Sequence, residues 1–264
     1  MTVFYLGTHH PNWLWTAPEK AFPLFVSHVR LKNHKSLRPA LGRWALDSGG
    51  FSEISKRGRW TVTAGEYVAK VRHYVQTVGN MDFAAIQDWM CEPHMIKKTG
   101  LSIKEHQART VASFLELSSL APEVSWLPVL QGWEVDDYLR HADEYAAAGV
   151  DLTKAPRVGV GSVCRRQATS GGAFIFEMLA ARGLSLHGFG VKTSGMGSTH
   201  RHLASADSMA WSMMARRSPP MPGHKHKSCA NCLDYALMYR DKIEAQLKGL
   251  SKCKTNQRYL PLFS

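Results

Sequence analysis

The sequence predicts an α/β fold, a (β/α)8 TIM-type barrel closed by a small C-terminal element. Three observations carry that prediction. The chain has 264 residues, a length that suits one large α/β barrel. Eight short apolar runs recur along it, each bounded by Gly, Pro, Asp or Asn or rich in β-formers. Helical patterns lie between several of them, and strands alternating with helices argue for a parallel sheet. An open doubly wound sheet is the alternative.

The runs fall at 3–6, 24–26, 44–46, 83–86, 126–130, 158–160, 186–191 and 203–206. Between the third and fourth, 65–78 (GEYVAKVRHYVQTV) places Tyr67, Val68, Val71, Tyr74, Val75 and Val78 on one helical face. Between the fourth and fifth, 102–120 opens with Ser102 and carries Glu105 three residues on, a capping-box pattern. Helices at 136–148 and 172–182 complete the alternation.

Lys and Arg number 33 against 21 Asp and Glu, a formal net charge of +12, which favours a polyanionic partner. No apolar run is long enough for a membrane span. The start, MTVFYLGTHHPNW, lacks a basic stretch followed by an apolar one, so no signal peptide and a cytoplasmic location are expected. The five cysteines are an odd count, and close pairs in such a chain read as metal or redox sites before disulfides.

In a barrel the active residues sit at the C-terminal ends of the strands. Run three ends in Asp47-Ser48-Gly49-Gly50, run four in Gln87-Asp88-Trp89, run five in Gln131-Gly132 and run eight in Asp207-Ser208. Runs six and seven contribute Gly159-Val160-Gly161-Ser162 and His187-Gly188-Phe189-Gly190. An acid at the end of a buried strand costs desolvation unless it has a partner or a task. A Gln and an Asp together can read the polar edge of a planar base, and Phe51 and Phe189 can stack on its faces. A further Asp attacking C1′ of a nucleoside would release the base and leave a covalent glycosyl-enzyme. Trp89, Trp133 and Trp211 follow strand ends and are expected to pack rather than stack.

The ordered set DSGGF (47–51), QDW (87–89), LQG (130–132), GVGS (159–162), HGFGVK (187–192) and SADSMAW (205–211) resembles the tRNA-guanine transglycosylase superfamily. The wording of QDWMCEP (87–93), TGLSIKEHQ (99–107), PVLQGW (128–133), VGVGSVCRRQ (158–167) and CANCLDYAL (229–237) is closer to its phage-associated branch. That branch comprises the deazapurine DNA-modification transglycosylases known as DpdA. The resemblance implies a pentosyltransferase that exchanges guanine in DNA for a free 7-deazaguanine base. It implies Asp207 as nucleophile and Asp47 as base-binding general acid/base. Asp88, Gln131, Gly132, Gly161 and Ser162 would read the base, and Phe51 and Phe189 would sandwich it. The same chemistry on tRNA is the nearest alternative. The target base lies inside a duplex stack, so base flipping or a single-stranded preference is expected.

A second constellation lies in GHKHKSCANC (223–232). Cys229 and Cys232 have the CxxC spacing of a tetrahedral zinc site, with His226 and His224 just before them. Two His and two Cys form the expected ligand set for a structural zinc. The superfamily's usual pattern has three cysteines and a downstream His, and this chain departs from it, so the fourth ligand is either His224 or Cys253. Residues 1–218 are expected to form the barrel, and 219–264 the zinc-binding segment with a C-terminal helix packed on it. Arg165, Arg166, Lys192, Arg216 and Arg217 follow strand ends and are expected to bind phosphates. Two further alternatives fit less well. A metal hydrolase would want His pairs at the strand ends. A non-catalytic zinc protein that binds nucleic acid leaves the three acids unexplained, since acids near a phosphate backbone weaken binding.

Overall fold

The computed structural model describes residues 2–16, 22–163, 170–191, 197 and 199–257, with the backbone alone for 170 and 251–257. Nine strands form one all-parallel, nearly closed, barrel-like sheet. They are β1 (Val3–Thr8), β2 (Leu24–Ser27), β3 (Trp44–Asp47), β4 (Met81–Ala85), β5 (Trp126–Leu127), β6 (Val129–Leu130), β7 (Val158–Val160), β8 (Leu186–Gly188) and β9 (Leu203–Ser208). Their order is β5-β4-β3-β2-β1-β9-β8-β7-β6.

The two ends of that order are neighbours in the chain. Only Pro128 separates β5, which pairs with β4, from β6, which pairs with β7. Proline has no N–H to donate to a ladder, so the run expected at 126–130 is divided in two. Its carbonyl still serves the ring, accepting from Gly159 N at 2.8 Å. Among the described residues the count is therefore nine strands where the sequence suggests eight.

The helices are α1 (Trp13–Thr16), α2 (His28–Leu31), α3 (Gly50–Arg57), α4 (Ala64–Thr77), α5 (Pro93–Thr99), α6 (Ile103–Leu120), α7 (Val135–Ala147), α8 (Ser170–Ala181), α9 (Ala210–Arg216) and α10 (Leu233–Gln257). Local chemistry explains where the long ones start. Ser102 and Glu105 form the expected capping box on α6, and Thr63 with Glu66 forms another on α4. Tyr67, Val68, Val71 and Tyr74 of α4 face inward, and Val78 just past its end is buried too. Val75 of the expected face, in the last turn of α4, is instead 42% exposed. No helix is long and apolar enough to cross a membrane, among the described residues.

The strands are buried on both faces, as a covered parallel sheet requires. Outward residues such as Phe4, Leu6, Leu24, Val26 and Leu46 pack in the main core. Inside the ring, Tyr5, Phe25, Phe83 and His187 from four different strands close on one another, with the His187 ring centroid 5.2–6.0 Å from the other three. Side chains thus fill the middle of the barrel. Helix α10 packs against β1 and α9, burying Tyr235, Ala236, Tyr239, Ile243 and Leu247.

Candidate active site

A cavity of about 310 Å3 opens at the C-terminal ends of the strands, near the lower end of the range for ligand pockets, about 300–1,000 Å3. Of the expected residues, Asp47, Phe51, Asp88, Gln131, Gly161, Ser162, Phe189 and Asp207 line it. Gly132 does not. A Cβ there would stand 2.7 Å from the Asp137 Cβ, so this glycine lets α7 approach the strand end.

Asp88 and its neighbours form a continuous polar wall. Gln131 Nε2 donates to Asp88 Oδ2, and the Ser48 hydroxyl lies 3.5 Å from Oδ1. The Ser162 hydroxyl lies 2.7 Å from Gln131 Oε1 and 2.8 Å from Glu92 Oε2, and its single proton serves one acceptor at a time. Ser162 Oγ also accepts from Cys91 N at 2.8 Å. Ser162 sits at φ 57, a left-handed conformation unusual for a residue with a side chain. Gly161 is glycine because the Gln131 side chain lies directly against it.

A second layer holds this wall in place. Gln107 Nε2 donates to the Gln131 carbonyl at 2.7 Å, and His141 Nδ1 accepts from Gln131 N at 2.9 Å. The Tyr138 hydroxyl donates to the Gly161 carbonyl at 2.7 Å. Burial pushes the Asp88 carboxyl up to about 7, against the opposing effect of the Gln131 hydrogen bond. The nearby charges of Asp47 and Glu92 push in the same direction as burial.

Asp47 ends β3 and is the register partner of Ser27. Burial raises its pKa, the charge of Asp207 adds to that, and hydrogen bonds from Ser27 and the Gly49 backbone oppose it. Gly49 caps α3 in a left-handed conformation, φ 84, and a Cβ on it would strike Val29. The cavity itself meets Gly50, where a Cβ would come within 3.2 Å of Asp88 Oδ1. The double glycine therefore serves the helix start and the cavity in turn. Phe51, in the first turn of α3, is 54% exposed at the rim.

Asp207 lies within β9 rather than after it, paired in register with Tyr5. Its Oδ1 accepts from Gly190 N at 3.0 Å and lies 3.5 Å from His187 Nε2. Phe189 stands edge-on to His187, with centroids 4.9 Å apart. Four carboxylates with different surroundings, Asp47, Asp88, Glu92 and Asp207, thus share one cavity, an arrangement suited to dividing nucleophilic, acid/base and recognition roles. Trp89 and Trp211 are buried, the latter donating to the Gly7 carbonyl at 2.8 Å, so both pack as expected. Trp133 is half-buried beside a smaller cavity with Glu92, Pro93, His94 and Ser162.

Sequence reasoning missed Glu92, Ser27 and Met209 as lining residues, and Gln107, His141 and Tyr138 as supports. Glu92 stands inside QDWMCEP, but nothing in a linear reading turns it toward Ser162. Of the expected phosphate-binding residues, Arg216 and Arg217 are exposed at the far end of α9, about 10 Å along the helix from Met209 at the cavity. Arg165, Arg166 and Lys192 lie outside the described residues.

The second constellation assembles at the foot of α10. One ligand atom from each of His224, His226, Cys229 and Cys232 lies within 4.8 Å of the others, a set able to hold a metal ion. His226 Nε2 is 3.0 Å from Cys229 Sγ, and His224 Nδ1 is 3.6 Å from Cys232 Sγ. The other His224 nitrogen, Nε2, lies 3.6 Å from Asp234 Oδ2, the kind of carboxylate that orients a ligating imidazole. The side chain of Cys253 lies outside the described residues.

The family model described as "DpdA: DeoxyPurine in DNA protein A" matches residues 1–258. No curated protein matches the chain.

Proposed function

Because the chain belongs to the DpdA family, DeoxyPurine in DNA protein A, we propose that it is a pentosyltransferase that replaces guanine in DNA by a 7-deazaguanine such as 7-cyano-7-deazaguanine. The observation that carries this reading is Asp207. One of its oxygens is held by the Gly190 N–H, which leaves the other available in a cavity shared with Asp47 and Asp88.

In the proposed reaction, Asp207 Oδ2 attacks C1′ of the target nucleotide as the C1′–N9 bond breaks. The departing guanine N9 takes a proton from Asp47, whose raised pKa suits it to hold one. The incoming base returns that proton to Asp47, its N9 attacks C1′, and the Asp207 carboxylate leaves. No nucleotide hydrolysis is needed, because the covalent ester conserves the glycosidic bond. The N–H groups of a guanine-like edge would face Asp88 and draw it into its charged form. Gln131, Gly161 and Ser162 would read the adjacent acceptor, and Phe51 would close over the ring opposite Phe189.

We read β5 and β6 as one strand interrupted by Pro128, which makes the ring eightfold. Residues 1–218 would be the barrel and 219–264 the zinc-binding segment and its helix. Two thiolates and two imidazoles suit a closed, tetrahedral, structural zinc, held by His224, His226, Cys229 and Cys232. Arg165, Arg166, Lys192, Arg216 and Arg217 would contact phosphates, in keeping with the +12 net charge.

A base-exchange assay tests this. Labelled 7-cyano-7-deazaguanine is incubated with the protein and either DNA or tRNA, and the nucleosides are analysed. Label in deoxynucleosides is expected. Label only in tRNA would keep the mechanism and overturn the DNA assignment.

A further inference from the structure

Beside Asp207 stands a buried imidazole, His187, for which the proposed reaction has no role. Its side chain is fully buried. Strand pairing explains how it gets there. His187 and Ser205 are register partners on β8 and β9. Side chains two apart on a strand share a face, so Ser205 and Asp207 point the same way and His187 stands beside both. His187 Nδ1 lies 2.9 Å from Ser205 Oγ, while Nε2 lies 3.5 Å from Asp207 Oδ1, at the limit of hydrogen-bond range. Among the described residues Nε2 has no other partner. The imidazole is boxed in by Tyr5, Phe25, Phe83 and Phe189, with ring centroids 4.9–6.0 Å away.

A buried ring nitrogen without a partner is costly, and an aromatic box offers it no alternative acceptor. We propose that His187 is a positioning residue for the Asp207 nucleophile, donating from Nε2–H to Oδ1 when substrate closes the site. This rests on the base-exchange reading. With the Ser205 hydroxyl donating to Nδ1, the proton of the neutral ring stands on Nε2, facing the carboxylate. Gly190 N–H and His187 Nε2–H then hold Oδ1 from two sides, and Oδ2 is the oxygen aimed at C1′. The same two donors stabilise the charge returning to Asp207 when the incoming base displaces it. Contacts of this kind are often long without substrate and tighten in the complex.

The comparison that tests this is His187→Phe against His187→Gln. Phenylalanine keeps the ring and its packing but removes the donor; glutamine restores an N–H at similar reach. Single-turnover capture of the covalent DNA–protein adduct and the KM for the incoming base are read together with Tm. We expect His187→Phe to slow adduct formation about 100-fold, the scale for losing one oriented donor to a reacting oxygen. The KM for the base should stay within about twofold, and His187→Gln should recover most of the rate. Adduct formation at the wild-type rate in His187→Phe, with Asp207→Asn inactive, overturns this inference alone. So does an equal loss of rate and Tm in both His187 variants, which marks a purely structural histidine. A wild-type protein that exchanges no base in DNA or tRNA overturns the function and this inference with it.

Discussion

The two sides of the cavity are built differently. On the Asp88 side the polar groups are densely linked: Asp88 is held by Gln131, Gln131 lies within reach of the Ser162 hydroxyl, and its backbone is held by Gln107 and His141. On the Asp207 side, among the described residues, the contacts are one backbone N–H at 3.0 Å and one imidazole at 3.5 Å. A densely linked wall is rigid and suits recognition, because a ligand edge must meet donors and acceptors already in place. A less densely held carboxylate keeps bonding capacity for a transition state, where binding energy raises kcat rather than affinity. The difference separates the wall that reads from the wall that reacts.

The largest effect should come from the reacting wall. Asp207→Asn is expected to lower exchange by at least about 10^4-fold, the scale seen when a nucleophile is deleted, while DNA affinity measured by filter binding stays within a few-fold. Retained exchange would remove Asp207 as the nucleophile and dissolve the contrast.

Next comes the reading wall, through Asp88. Its carboxyl, ordinarily near 4, is held at about 7 by burial, so folding favours the protonated form. The stability this contributes is full below about pH 4 and is lost as pH rises to 7. Asp88→Asn should therefore have a higher Tm than wild type at pH 8, by roughly a few degrees, and the two curves should meet near pH 4. The same variant should raise the KM for the base by about 10–100-fold, since a carboxamide donates where an acceptor is wanted. A fall in Tm at pH 8 would show that the carboxylate is held charged and the wall is not strained.

The metal segment gives an effect of another kind. Cys229→Ser, or chelation, should lower Tm by several degrees while leaving the KM for the base unchanged at a temperature where the chain remains folded. A loss of activity ahead of unfolding would tie the cluster to the site. The smallest effect is expected at the rim: Phe51→Ala should raise the KM for the base about tenfold, within the usual stacking range, with little change in Tm because Phe51 is 54% exposed.

Short apolar runs punctuated by Gly, Pro and Asp made the strand positions legible, and periodicity did the same for α4, α6, α7 and α8, whereas the shorter α1, α2, α3, α5 and α9 carry too few turns to show a period. The sequence by itself also marked Asp47, Asp88, Gln131 and Asp207 as strand-end residues and paired Cys229 with Cys232. Tertiary structure decided which of them meet, and how. Pro128 divides a strand that reads as continuous, since a missing N–H matters only once a neighbour strand needs it. Gly132 belongs to helix packing and Gly161 to the cavity, although both follow strands, because the neighbouring chain differs. His224 comes within reach of His226 and the cysteines through the fold of the 223–232 loop. The pairing of His187 with Ser205 and Asp207 depends on strand register, and register is a property of two distant segments held side by side.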